Sequence, residues 1–413
     1  MIRATLRGAG VAVVAAVAAL SGLAVQASPA TAQKKYGPGV TDTEIRIGNI
    51  MPYSGPASAY GSIGTTEAAY FRKINDEGGI NGRKITFISY DDAYSPPKAV
   101  EQVRKLVEQD NVLLVFNPLG TPSNTAIQKY LNQKGAPHLF LATGATKWGD
   151  YQNNPWTMGW QPTYQGEGRI YARHILDNYP NAKIGILYQH DDFGRDYLQG
   201  LKDGLGDKAK SMIVSEVSYE LASPTVDAEI LKLRSSGADV FVNITTPKFA
   251  AQAIRKVAEI GWKPVHLLVN VSSSVGAVIK PAGFQNAQGV MSVNYVKDPT
   301  DPGLKDDPGV KEWNVFIDKY LPGVDKTQSN YVYGYNVART LVQVLKQAGD
   351  NLTRENIMKQ AANLKNFDPG MLQEGITINT SPTDFYPIEQ ERMMKFSGDR
   401  WENFGPVLSG AMK

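Results

Sequence analysis

The sequence predicts an α/β protein of two lobes, each a parallel sheet with helices on both faces. Three observations predict it. Short apolar stretches alternate with amphipathic helical ones along the chain after residue 43, the rhythm of strand–helix–strand units. Several of those stretches, 111–116 among them, have no polar face, as strands buried on both sides require. The chain has 413 residues, and that length favours two domains over one.

Residues 43–50 (TEIRIGNI) alternate polar and apolar side chains and run into a Pro/Ser/Gly loop, so they read as a strand and its exit. Residues 61–76 read as a helix, ended by the glycines of EGGING at 77–82. A strand follows at 84–90. Ser95, Pro96 and Pro97 then open a helix with Val100, Val103, Leu106 and Val107 on one face. Further strands are expected at 111–116, 139–142, 183–188, 212–217, 240–244 and 265–270. Helices are expected from about Asp196, through Ala228 to Leu233, and at 250–260.

Seams are expected at Trp160, Gln161 and Pro162 and again at 291–295, followed by an Asp/Pro/Gly-rich loop at 298–308. A long helix at 329–346 carries Tyr331, Tyr335, Ala338, Leu341, Val342 and Leu345 at burial spacing. A strand-like tail from Ile376 turns at Ser397, Gly398 and Asp399. The expected organisation is therefore a signal segment at 1–32, a first lobe from 44–160 and 292–385, and a second from 162–290 and 387–413. Several crossings between lobes make a hinge.

Arg3 and Arg7, the uncharged apolar run at 10–25 and the small residues Ala30, Thr31 and Ala32 have the layout of a secretory signal peptide, with cleavage expected after Ala32. No later apolar run is long enough to span a bilayer. Removing Arg3 and Arg7 from the formal +3 leaves about +1. A near-neutral chain without a Lys/Arg cluster has no electrostatic footprint for nucleic acid or a membrane surface. There is no cysteine, so neither disulfides nor a lipidated lipobox cysteine can form. A soluble periplasmic protein, monomeric, is the expectation.

Enzyme signatures are missing. There is no GxSxG elbow and no phosphate-binding P-loop. The four histidines, His138, His174, His190 and His266, have no metal-ligand spacing and read as ordinary surface or loop residues. His190, Asp191 and Asp192 read as a solvated loop. No cofactor, metal or catalytic residue is expected.

What stands out is the set of polar, glycine-containing loops after predicted strands, at 53–61, 118–124, 143–146, 190–194 and 245–246. Ligands of open parallel sheets bind at such strand ends. Gly120 with Thr121, and Gly144, Ala145 and Thr146, combine small side chains, backbone N–H groups and hydroxyls. Together with helix N-termini these could hold a carboxylate without Lys or Arg; any one loop alone could equally be a helix cap.

At these residues the chain resembles the branched-chain amino acid binding proteins of ABC importers, the leucine/isoleucine/valine-binding-protein-like group with the type I periplasmic binding fold. The segments that carry the resemblance are IRIGNIMPYSGPASAYG from Ile45, INDEGGINGRKI from Ile74, YDDAYSPPKAV from Tyr90, ATGAT from Ala142 and ILYQHDDFGRDYLQG from Ile186. They extend through the chain after the signal segment. The resemblance implies two Rossmann-like lobes joined by a multi-strand hinge, a small carboxylate ligand in the cleft, an inner-membrane ABC permease as partner and no catalysis.

It also implies residue roles. Tyr60 matches an aromatic that walls the ligand pocket. Gly120 and Thr121 match one carboxylate loop, although Pro122 is a departure, and Gly144 and Thr146 match the second. Phe193 matches an aromatic that closes from the opposite lobe, and Tyr331 another pocket aromatic; core packing is the alternative role for each. Asn270 stands where amino acid binders carry an acid for the ligand ammonium, and 269–274 (VNVSSS) holds no acid. A neutral amide there, with Thr246 beside it, favours an organic acid without an α-amino group. An aromatic acid is the leading choice because Tyr60, Phe193 and Tyr331 could stack around a ring.

Overall fold

Strand Glu44–Met51 sets the pattern of the first sheet. Ile45 is buried between half-exposed Glu44 and Arg46, and from Ile47 onward every residue is buried. The strand is internal: Lys84–Asp91 pairs with it on one side and Leu114–Phe116 on the other, both parallel. His138–Leu141 and Thr157–Gly159 complete a five-stranded parallel sheet. The computed structural model describes Met1 and residues 34–411. The expected signal segment at 1–32 and its cleavage site lie outside the described residues.

The helices between these strands follow their sequence signals. Gly61–Asp76 ends at a turn in which Gly79 (φ 78°) donates its N–H to the carbonyl of Ile74. A Cβ on Gly79 would stand 2.1 Å from the carbonyl oxygen of Arg83, so only glycine fits there. Pro96–Glu108 starts with prolines in its first turn, where their missing N–H is harmless. It buries Ala99, Val103, Leu106 and Val107 at spacings of three and four.

The second sheet has seven strands. Ile213–Tyr219, Ile184–Gln189, Val240–Ile244, Val265–Leu268 and Met291–Asn294 are parallel, in that order. The tail then adds a hairpin, Gln390–Ser397 with Arg400–Ser409, antiparallel to Met291–Asn294. Its two-residue turn is Gly398 (φ 63°) and Asp399. The sheet is therefore mixed rather than wholly parallel.

Between Met291–Asn294 and the hairpin, the chain returns to the first sheet. Pro308–Tyr320, Asn330–Ala348 and Arg354–Ala361 place Trp313, Tyr335, Leu341 and Ile357 in the same apolar core as Ile45 and Phe71. The chain thus crosses between the two sheets after Gly159, after Asn294 and before Gln390. The lobe boundary expected at 292 falls inside a strand paired on both sides, and the crossing comes after Asn294.

Two local readings are corrected. His190 is an exposed loop residue as expected, but Asp191 and Asp192 are not part of a solvated loop: the helix there is Asp192–Leu205, and Asp191 caps it by accepting from the N–H groups of Phe193 and Gly194. His138 and His266 are buried strand residues rather than surface ones. His138 lies 2.6 Å from Asn124 Oδ1 and His266 lies 3.1 Å from Asn243 Nδ2. Burial pushes both imidazoles down to about 3, so they stay neutral. Among the described residues, no helix is long and apolar enough to cross a membrane and no group of His, Asp or Glu is placed to hold a metal ion.

Candidate binding cleft

The ends of the parallel strands in both sheets converge on one cleft of about 1010 Å³, counting its open mouth. One wall is Tyr60, Ile63, Tyr94, Leu119 and Gly120. The opposite wall is Phe193, Thr246, Asn270, Val271 and Ser273. Tyr164 and Tyr295, from segments next to the crossings, close the back, and Met394 and Trp401 of the hairpin add apolar surface. Trp401 is fixed by its indole N–H, which donates to the carbonyl of Ser273 at 2.7 Å.

The two walls are bridged. Tyr60 donates its hydroxyl to the carbonyl of Val271 at 3.0 Å. The backbone N–H and the hydroxyl of Thr146 both donate to Asp196 Oδ2, at 2.8 and 3.0 Å. Lys147 pairs with Asp192 at 2.8 Å. Gly276 donates its N–H to the carbonyl of Thr327. The molecule is in a closed arrangement.

Five of the residues singled out from sequence line the cleft: Tyr60, Gly120, Phe193, Thr246 and Asn270. The other five do not. Thr121 is buried with its hydroxyl 2.6 Å from that of Thr143. Gly144 packs against Tyr164, and Ala145 is buried behind it. Thr146 spends its donors on Asp196 and faces a separate cavity with Arg169 and Tyr386. Tyr331 is off the lining; Asn330 and Tyr333 of the same helix take that place. Of the expected two-loop carboxylate cradle, only Gly120 is therefore open to the cleft. Thr121, Gly144 and Thr146 are closed off by a neighbouring hydroxyl, a tyrosine ring and an acid of the facing lobe.

Sequence reasoning passed over Tyr94, Tyr164, Tyr295, Tyr333 and Trp401. Tyr94 stood inside the quoted YDDAYSPPKAV segment, and its φ of 58° aims it back at the cleft. Tyr164 follows directly on the seam at 160–162. The others carried no local signal.

The electrostatics are simple. Among the described residues the charged lining is Lys297, Lys326 and Asp298. Lys297 is paired with Asp307 at 2.9 Å, and Asp298 accepts from the N–H and hydroxyl of Thr300. Lys326 pairs with the exposed Asp318. Burial raises the phenols of Tyr60, Tyr94 and Tyr295 well above their usual range, so the aromatic walls are neutral. An acid does lie near Asn270, but behind it. Glu167 accepts from the N–H of Asn270 at 2.7 Å and from the hydroxyls of Tyr171 and Tyr197. It is off the lining, and burial pushes it up to about 7.

Two α/β lobes, three crossings and an aromatic cleft at the strand ends are the architecture of a solute-binding protein. The profile of a family described as "Periplasmic binding protein" matches residues 44–395, and the chain belongs to that family. Leu/Ile/Val-binding protein homolog 1 of Brucella suis biovar 1 (strain 1330) is 24% identical over 319 residues, covering 76% of this chain and 81% of that protein. The fold is similar to that of a branched chain amino acid ABC transporter protein from Thermus thermophilus with bound valine, at a TM-score of 0.80 and 17% identity, covering 90% and 97% of the two chains. It is also similar to a fatty acid ABC transporter substrate-binding protein from Thermomonospora curvata, at 0.76 and 22%, covering 91% and 95%. The family is one of non-enzymatic solute-binding components of ABC importers, with a permease as partner and the periplasm as location.

Proposed function

We propose that this protein captures an organic acid with an apolar, aromatic-sized body and no α-amino group, and presents it to its ABC permease. The observation that carries the reading is the cleft lining. Aromatic and aliphatic side chains surround it, its one carboxylate, Asp298, stands next to Lys297, and the position implied for a ligand ammonium is the neutral amide Asn270, with Glu167 behind it and off the lining. A ligand ammonium placed at Asn270 would meet no carboxylate, a loss of several kcal/mol. An aromatic body gains from ring packing and burial. Lys326, which shares its charge with exposed Asp318, and neighbouring Ser329 supply the side of the lining on which we place the ligand carboxylate. Asn270 and Ser273 offer neutral hydrogen bonds to a hydroxyl or carbonyl.

The reading includes secretion through the segment at 1–32, action as a monomer, and a cycle in which the ligand docks on the Tyr60 wall before Phe193 and Asn270 close on it. Contacts made only when the cleft is shut supply the differential affinity that shifts the population to the closed form. Binding of an amino acid is the second reading, favoured by the Leu/Ile/Val-binding relatives.

A thermal-shift screen separates the two. At a ligand concentration 100 times Kd, binding stabilises the fold by about 2.7 kcal/mol. We expect that shift with benzoate-type or other apolar organic acids. A larger shift with leucine or valine would replace our reading with the second.

A further inference from the structure

The covered loops have a physical cause. Gly120 stands at the N-terminus of the 13-residue helix Thr121–Gln133, and the loop beginning at Thr143 follows the adjacent strand. Two tyrosine rings lie on their glycines. A Cβ on Gly144 would stand 2.8 Å from Cδ1 and Cε1 of Tyr164, and one on Gly120 would stand 2.4 Å from Cε2 of Tyr94. Tyr164 is held firmly. It begins the helix Tyr164–Asn178, which is capped by the Thr163 side chain, and its N–H donates to the carbonyl of Gly144 at 2.7 Å. Its ring stacks on Tyr197 (4.4 Å, 21°) and meets Phe193 edge-on (5.3 Å, 86°). The hydroxyls of Thr121 and Thr143 lie 2.6 Å from each other, and the Thr143 hydroxyl also accepts from the N–H groups of Ala145 and Trp148.

We infer that Tyr164 is a specificity-determining residue. Its ring covers Gly144 at the corner beside Thr121 and Thr143, excludes compact carboxylates from it, and leaves the apolar remainder of the cleft to choose the ligand. A carboxylate entering that corner must displace the ring that lies over Gly144 and break its stack on Tyr197. The corner's dipoles therefore do not select among ligands while Tyr164 is in place. The inference rests on the reading that the cleft takes an organic ligand and adds the residue that narrows the choice.

The test is calorimetric titration of wild-type protein and Tyr164→Ala with two compact probes, isobutyrate and L-valine. We expect the variant to bind isobutyrate at least about tenfold more tightly than wild type, a change of 1.4 kcal/mol, and the gain to vanish when Thr143→Val is added. A folded Tyr164→Ala, verified by circular dichroism, with no gain for either probe overturns the inference. If the alanine variant does not fold, Tyr164→Leu, which removes the ring but keeps apolar bulk against Tyr197, is titrated with the same two probes; a folded leucine variant with no gain for either overturns the inference. Failure of wild type to bind any apolar organic acid, with the alanine variant still gaining isobutyrate, sinks the functional reading and leaves Tyr164's role standing.

Discussion

The hydroxyl of Tyr60 reaches across the cleft to the carbonyl of Val271, a bond that opening must break. Tyr60→Phe removes it and leaves the ring in the wall. Such a bond contributes about 1 kcal/mol, so ligand affinity should fall about fivefold by calorimetry with little change in the fold. Glu167 makes a second residue-level prediction. Burial raises it from an ordinary 4.5 to about 7, and burial with the neighbouring Glu167 charge raises Glu391 well above the carboxylate range. A raised carboxyl holds a proton in the folded state that the unfolded chain releases. Its stabilising contribution is therefore complete below pH 4.5 and is lost as pH rises through about 7. Thermal unfolding across that window should show Tm falling with pH, and Glu167→Gln, which mimics the protonated form, should make the slope shallower. Of the cleft's residues, Tyr60, Phe193 and Asn270 were legible because the family resemblance implied a pocket role for each, and 53–61 and 190–194 also read as loops after strands. Tyr164, Tyr295 and Trp401 were not, since their approach to the cleft is set by chain crossings tens or hundreds of residues apart. The two-loop cradle was legible as a pattern of donors; that a tyrosine ring would cover Gly144, and that an acid and a second hydroxyl would engage Thr146 and Thr121, was not.

Helices Tyr164–Asn178 and Asp192–Leu205 cross at their glycines. A Cβ on Gly200 would stand 2.3 Å from both the Cα and the carbonyl oxygen of Gln165, and one on Gly168 would stand 2.6 Å from the nitrogen of Leu201. This close crossing places Tyr164 and Phe193 edge to face. Gly200→Ala should destabilise the protein by about 1–3 kcal/mol through overpacking, read as a lower midpoint in chemical denaturation. A midpoint equal to wild type would mean that the helices are not in backbone contact. At this scale the sequence was informative where a local signal exists. Gly61–Asp76 begins and ends where its periodicity and glycines place it. Asp192–Leu205 begins earlier than expected, because a capping aspartate and a solvated one look alike in sequence. The strand expected at 111–116 is only Leu114–Phe116; burial without alternation marks an apolar run but not its hydrogen-bonded length.

For the molecule as a whole, the proposed capture of a ligand needs closure, and three crossings between two sheets whose strand-end loops face each other are suited to it. The alternation of apolar strands with helices announced both sheets. The hairpin of Gln390–Ser397 and Arg400–Ser409, which makes the second sheet mixed, could not be placed from its own sequence because its pairing with Met291–Asn294 spans about a hundred residues. The central claim is that the ligand lies in the cleft between Tyr60, Phe193 and Asn270, with Tyr164 still in its corner. The crystal structure of the complex with the strongest organic acid of the screen tests it most directly. We predict an apolar body against those side chains, a carboxylate on the Lys326 side and an unmoved Tyr164. A ligand carboxylate bonded to Thr121 and Gly144, with the Tyr164 ring swung away, would contradict it.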